Sequence, residues 1–165
     1  MLVIFSHGKE SGPNGAKIQL LAKIAQQMGF KTHSIDYTNC KHVSERVEML
    51  KDFMAENVSQ KLILIGSSMG GYVATLAAQE LAIEGLFLMC PALYLSNYPV
   101  QSYQPMTPII DIVHGWQDDI VPYQHSIQFG RKVNARLHLI EDNHRLSKQR
   151  AFLGETFQQF LDRLK

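Results

Sequence analysis

The sequence predicts an α/β fold, a three-layer α/β/α sandwich around a mostly parallel sheet of about six strands. Two observations carry this expectation. Short apolar runs alternate along the whole chain with stretches of helical period, and the apolar runs are nearly continuous, as strands covered on both faces are. Composition agrees: 165 residues, 45% hydrophobic and 19% charged, with a formal net charge of +1, suit one domain spanning residues 1–165 with one sheet.

Taken in order, Leu2-Val3-Ile4-Phe5 opens a strand near 2–6, followed by a helix near 15–28, a strand near 31–36 and a helix near 44–57. Leu62-Ile63-Leu64-Ile65 centres a strand at 61–66, and the small and apolar residues after it give a helix at 70–82. Leu86-Phe87-Leu88-Met89 makes a strand at 85–89. A proline-rich interval, Pro91 to Pro108, separates it from a strand at 109–114. A helix at 123–132, a strand at 135–140 and a helix near 147–163 complete the chain. No internal repeat or low-complexity segment interrupts the alternation.

Where the third strand meets its helix the chain reads Gly66-x-Ser68-x-Gly70, the signature of a nucleophile elbow. A serine hydroxyl attacks only when exposed beside a base, and a tight strand-to-helix turn presents it by crowding the backbone until small residues are required on either side. The bland alternative is a Gly/Ser turn, but the flanking strand and helix are the context the motif demands. The same turn aims the backbone N–H of Met69 at the position of a developing oxyanion.

An acid and a histidine are expected downstream of such a serine, in that order. Two segments supply them: Ile109 to Pro122, a strand followed by a turn with Asp118 and Asp119, and Leu137 to Leu146, a strand followed by a loop presenting His144. Either acid alone reads as a solvated turn residue, and either fits the order.

With these residues in view, His114-Gly115-x-x-Asp118-x-x-Val121-Pro122 resembles the acid-bearing loop of the α/β-hydrolase superfamily, and Asp142-Asn143-His144 resembles its histidine loop. The resemblance covers nearly the whole chain. It implies that Asp118, four residues after His114, orients His144, with Asp119 as the alternative. It implies further that Ser6-His7-Gly8-Lys9 is the oxyanion loop, in which the N–H of Lys9 is the second donor beside Met69 and His7 holds the turn. Members of the family often carry an apolar side chain at the position of Lys9. The lysine here is either a solvated partner of Glu10 or a cation near an anionic substrate.

Six strands are fewer than the eight of the full family sheet, and the eighteen residues of Pro91–Pro108 are too few for a lid domain. The resemblance therefore implies a minimal, lidless serine hydrolase, similar to small bacterial esterases, that cleaves small or medium acyl esters through an acyl-enzyme on Ser68. Its substrate is a small acyl molecule. Tyr94, Tyr98 and Tyr103 either wall a shallow acyl site or pack on the core. An acyl-CoA or other thioesterase uses the same machinery, and a non-catalytic binding protein could keep the same fold.

Other classes are disfavoured. Lys and Arg are scattered, which argues against nucleic acid. No apolar run approaches a membrane span, and Met1–Phe5 is too short for a signal core, so the cytoplasm is the expected location and no membrane partner is expected. Cys40 and Cys90 do not form a disulfide framework or a metal motif, and Cys90 reads as a buried small hydrophobe. His33, His42, His125 and His138 lie in no ligand pattern, so neither metal nor cofactor is expected. Oligomeric state is not encoded in these features.

Overall fold

The structure, a computed structural model, describes residues 1–40 and 42–165. Among them, six strands run β1 (Leu2–Ser6), β2 (Lys31–Ile35), β3 (Leu62–Ser67), β4 (Gly85–Met89), β5 (Ile110–Gly115) and β6 (Arg136–Ile140). Five helices join them: α1 (Ala16–Gln27), α2 (Val43–Glu56), α3 (Met69–Glu80), α4 (Tyr123–Val133) and α5 (Arg150–Asp162). The strands form one sheet in the order β2-β1-β3-β4-β5-β6, and every neighbouring pair is parallel. The sheet is therefore wholly parallel, as a crossover between each successive pair of strands demands.

The period-2 alternation of side chains sorts the core into two layers. Leu2 and Ile4 of β1, Leu62 and Leu64 of β3, and Leu86 and Leu88 of β4 face α2, α3 and α4. Their neighbours Val3, Phe5, Ile63, Ile65, Phe87 and Met89 face α1 and α5. The four inner strands are buried along their length, whereas the edge strands β2 and β6 are partly exposed. Helix α3 is buried almost all round by small residues, which lets it lie close against the sheet beside α2.

Element ends fall within two residues of the sequence reading, with one exception. The last helix starts at Arg150 rather than near 147, and the N–H groups of Lys148 and Gln149, just before it, both donate to Asp142 Oδ2, at 2.9 Å each, which ties the entry of the helix to the histidine loop.

The crossover between β4 and β5 is knitted to the core by its tyrosines. Tyr103 is fully buried, its hydroxyl donates to Val100 O at 2.7 Å, and it accepts from Tyr94 N at 3.2 Å. Tyr98 and Tyr103 both pack on the ring of Tyr72 in α3. Of the two uses open to these side chains, packing is the one observed.

The strand order reverses direction at β1, which lies between β2 and β3, so a crevice opens at the carboxyl ends of β1 and β3. No helix among the described residues is long and apolar enough to cross a membrane.

Phe87 lies at 5.2 Å and 5.3 Å, centroid to centroid, from Phe157 and Phe160 and is fully buried. Phe87→Ala is expected to lower unfolding stability by about 3–5 kcal/mol, read as a fall in the urea midpoint with an unchanged slope.

Candidate active site

The crevice is where the sequence-predicted residues converge. Ser68 sits between β3 and α3 with φ 54° and ψ −121°, a left-handed turn conformation that a non-glycine residue adopts only when its surroundings enforce it. Its N–H donates to Met89 O at 3.0 Å, and its carbonyl accepts from Gly71 N at 2.9 Å and Ala92 N at 3.0 Å. The glycines are needed for clearance. A Cβ on Gly66 would lie 2.5 Å from Gly71 Cα, and one on Gly70 would overlap the carbonyl of Ser6 and come within 2.6 Å of His7 O. Gly71 is equally constrained, because a Cβ there would lie 2.8 Å from Pro91 Cβ.

Ser68 Oγ donates to His144 Nε2 at 2.9 Å, and His144 Nδ1 donates to Asp118 Oδ2 at 2.7 Å. These two bonds fix the tautomer of His144, with the proton on Nδ1 and the lone pair of Nε2 toward the serine. The structure separates the two acids: the Asp118 carboxylate is fully buried, while Asp119 is exposed. Asp118 Oδ1 accepts from Ile120 N at 2.9 Å and Val121 N at 2.8 Å, and His114 Nε2 approaches Oδ2 at 3.0 Å. Burial by itself would raise the proton affinity of this carboxyl. The donors from His114, His144 and the two amides outweigh burial and hold it far below the usual carboxylate range. It is therefore anionic at every pH at which an imidazole titrates.

The loops bearing Asp118 and His144 are tied to each other through their backbones. Trp116 N donates to Ile140 O at 2.8 Å and Gln117 N to Asp142 O at 3.0 Å, and a Cβ on Gly115 would overlap the Asp142 carbonyl. Asp142 is itself fully buried, and its carboxylate accepts from Asn143, Lys148 and Gln149 N–H groups, so it shapes the loop that presents His144.

The loop after β1 lies against the elbow: a Cβ on Gly8 would be 3.5 Å from Ser68 Cβ. His7 is buried between two partners. Its Nε2 accepts from Tyr37 N at 3.0 Å, so the ring proton is on Nδ1, which donates to Gly8 O at 2.7 Å. Burial lowers the proton affinity of His7, in keeping with a neutral ring. Arg46 of α2 donates to the same Gly8 carbonyl at 3.2 Å and to Cys40 O at 3.1 Å, and its guanidinium lies 5.1 Å from the centroid of Tyr37. In a trans peptide the N–H points opposite to the carbonyl. Two donors on Gly8 O therefore direct the Lys9 N–H away from themselves. Met69 is the first residue of α3, where amides have no intrahelical acceptor. The Lys9 side chain is exposed.

Arg46 and Lys17 are the participants that sequence reading passes over, and it names His114 only as part of the acid-bearing loop. Arg46 did carry a signal: it shares a helical stripe with Val43, Val47, Leu50 and Met54, all facing the core, and a charge on that stripe has to meet a buried acceptor. Lys17 of α1 reaches toward His144 O at 3.5 Å, and burial lowers its proton affinity. Cys90 is fully buried, as expected, but it also lies just after β4, beside Asp118 and His144. Its ligand atom and theirs lie within 4.8 Å of one another, a spacing that could hold a metal ion among the described residues. Asp118 and His144 already bond to each other, and burial pushes the Cys90 thiol up, away from the thiolate a metal needs. A groove of about 250 Å³ runs between α2, α3 and the β4–β5 crossover over Val47, Tyr72 and Val100, and its walls include none of Ser68, Asp118 and His144.

Comparison with known proteins places this geometry in context. The pattern of an uncharacterised protein family, UPF0227, matches residues 2–111. Among solved structures, a putative hydrolase of the α/β superfamily from Xanthomonas campestris pv. campestris is 28% identical over 98% of both chains, with a TM-score of 0.89. Est1E from Butyrivibrio proteoclasticus is 18% identical, with 99% of this chain and 87% of Est1E covered and a TM-score of 0.85. The mouse α/β hydrolase domain-containing protein 10 is 20% identical over 99% of this chain and 90% of its own, with a TM-score of 0.79. No curated protein matches the chain.

The elbow itself gives a test. Gly70→Ala is expected to cost about 1–3 kcal/mol or more from overpacking against backbone that has nowhere to move. Gly12→Ala, where a Cβ meets nothing within 4 Å, should stay within about 0.5 kcal/mol of the parent. Equal urea midpoints for the two variants would contradict the close approach.

Proposed function

The chain belongs to the uncharacterised protein family UPF0227 and has the α/β-hydrolase fold, and from that premise we propose that it is a serine hydrolase acting through an acyl-enzyme on Ser68. The observation that carries the reading is the continuous hydrogen-bonded chain from Ser68 Oγ through His144 to Asp118, at 2.9 Å and 2.7 Å. Ser68 attacks the acyl carbonyl while His144 Nε2 takes its proton, and Asp118 stabilises the imidazolium without itself taking a proton. The amides of Met69 and Lys9 hold the oxyanion, the first at a helix start and the second directed by the fixed Gly8 carbonyl. His144 then protonates the leaving group, and in the second half-reaction it activates water to release the acid.

Small or medium acyl esters fit best, because the β4–β5 crossover spends its tyrosines on packing and supplies no lid. The exposed Lys9 beside the elbow favours a second reading, an acyl-CoA thioesterase in which this cation meets the phosphates of the leaving group.

The first experiment is treatment of the purified protein with a fluorophosphonate and weighing of the intact adduct. One label per chain, absent in Ser68→Ala, is the expected outcome, and an unlabelled folded protein would turn the reading toward a binding role. Short esters and acyl-CoA substrates assayed side by side separate the two leaving groups.

Two further outcomes follow from the role of each acid and of the imidazole. Asp118→Asn should lower turnover by roughly 10⁴-fold, since the amide presents the wrong group to His144, whereas Asp119→Asn should leave it near the parent value. Turnover should fall on acidification, because protonation of His144 removes the lone pair that accepts from Ser68 while Asp118 stays charged. A rate unchanged down to about pH 4 argues against a histidine base.

A further inference from the structure

Asp118 serves two imidazoles. His144 Nδ1 and His114 Nε2 both lie on the same carboxylate oxygen, Oδ2, at 2.7 Å and 3.0 Å. His114 is fully buried at the end of β5, and its Nε2 is also 3.0 Å from Val121 O. Both neighbours on that side are acceptors, so Nε2 carries a proton. On the other side, Nδ1 lies 2.7 Å from the hydroxyl of the buried Ser126 of α4, which donates to it when the ring is neutral. The single N–H on His114 Nε2 is thus shared between Val121 O and the oxygen that orients the proposed base.

Resting on the serine-hydrolase reading, we propose that His114 is a positioning residue which, by sharing Asp118 Oδ2, lowers the proton affinity of His144 and extends the working range toward acid. The reasoning is electrostatic. A carboxylate stabilises an imidazolium in proportion to the charge on the oxygen facing it, and a second N–H on that oxygen draws part of that charge. His144 then releases its proton at a lower pH, and Nε2 is free to accept from Ser68 there. Removing the second donor returns charge to Oδ2, binds the His144 proton more tightly and moves the acid limb upward.

Other groups that bear on this pair stay constant when His114 is changed. Lys17 reaches His144 O from α1, and the neutral Cys90 thiol lies just after β4 beside the pair. Ser68 faces Nε2 from the start of α3, and the Asp142 carboxylate is occupied by three backbone amides. Lys9, Asp119 and Arg145 are exposed to solvent.

The test is the titration of His144 followed by ¹⁵N imidazole NMR in the parent protein, His114→Phe and His114→Gln. This readout needs no substrate. In His114→Phe, which keeps a ring and loses the donor, the His144 midpoint should rise by roughly 0.5–1 pH unit, the part of a charged hydrogen bond that differs between the two protonation states. In His114→Gln, whose amide restores an N–H, it should return toward the parent value, and the acid limb of turnover should move in parallel. An unmoved midpoint in His114→Phe, even with slower turnover, would overturn the proposal and leave His114 as a loop support. If the phenylalanine variant does not fold, the glutamine variant and the parent spectrum decide. A neutral His114 protonated on Nδ1 in the parent would place a lone pair against Asp118 and overturn the idea directly. Failure of fluorophosphonate labelling in the parent, with the midpoint shift intact, would sink the hydrolase reading and leave the coupling between the two histidines standing.

Discussion

Main chain meeting main chain, where β3 turns into α3, is the contact on which the carboxyl end of the sheet depends. The start of α3 presses against the end of β1 so closely that Gly70 has room for no side-chain atom beside the carbonyls of Ser6 and His7. Side chains can repack around an intrusion, but two backbones cannot, which is why three glycines cluster within six residues there. Holding Ser68 at a positive φ costs on the order of 1–3 kcal/mol. Hydrogen bonds from Ser68 N to Met89 and from Gly71 and Ala92 to Ser68 O offset that cost by anchoring the turn to β4 and to the segment beyond it.

Polar groups in the crevice are arranged so that few buried charges need pairing. Asp118 and Asp142 are both buried carboxylates, and both are satisfied largely by backbone amides of their own loops. The difference is direction: Asp118 turns one oxygen toward two imidazoles, while Asp142 spends its capacity on shaping the histidine loop. At the opposite end of the sheet, Asp111 takes the other solution and pairs with Arg163 near the end of α5. The ion pair sits far from the reacting atoms, and the amide-satisfied carboxylates sit where a charge has to act on a neighbour.

Much of this was legible in the sequence, and the reason is local. Apolar runs with short connections fix strand and helix identity, and the elbow, the acid loop and the histidine loop are each contiguous stretches whose meaning lies in a few adjacent residues. The start of α5 is not legible in the same way, because the two residues before it are tied to Asp142, a contact that periodicity does not register. Residue order alone leaves Asp118 and Asp119 equivalent, and only the resemblance favours Asp118; the burial that separates them is a property of the assembled loops. Arg46 on Gly8 O and Ser126 on His114 are harder still: they join segments 38 and 12 residues apart, through side chains that any helix could carry.

The separation along the chain between Ser68 and His144, 76 positions, carries a consequence for how the protein is made. The elbow belongs to the first half of the sheet, and His144 arrives with β6, an edge strand that pairs with β5. During synthesis Ser68 therefore emerges well before His144, and on the proposed reading the chain stays chemically silent until the last strand docks. After folding, the same arrangement leaves one half of the proposed machinery hanging on an edge strand. Fraying of that edge disconnects His144 from Ser68 while the elbow, sealed by its glycines, remains intact.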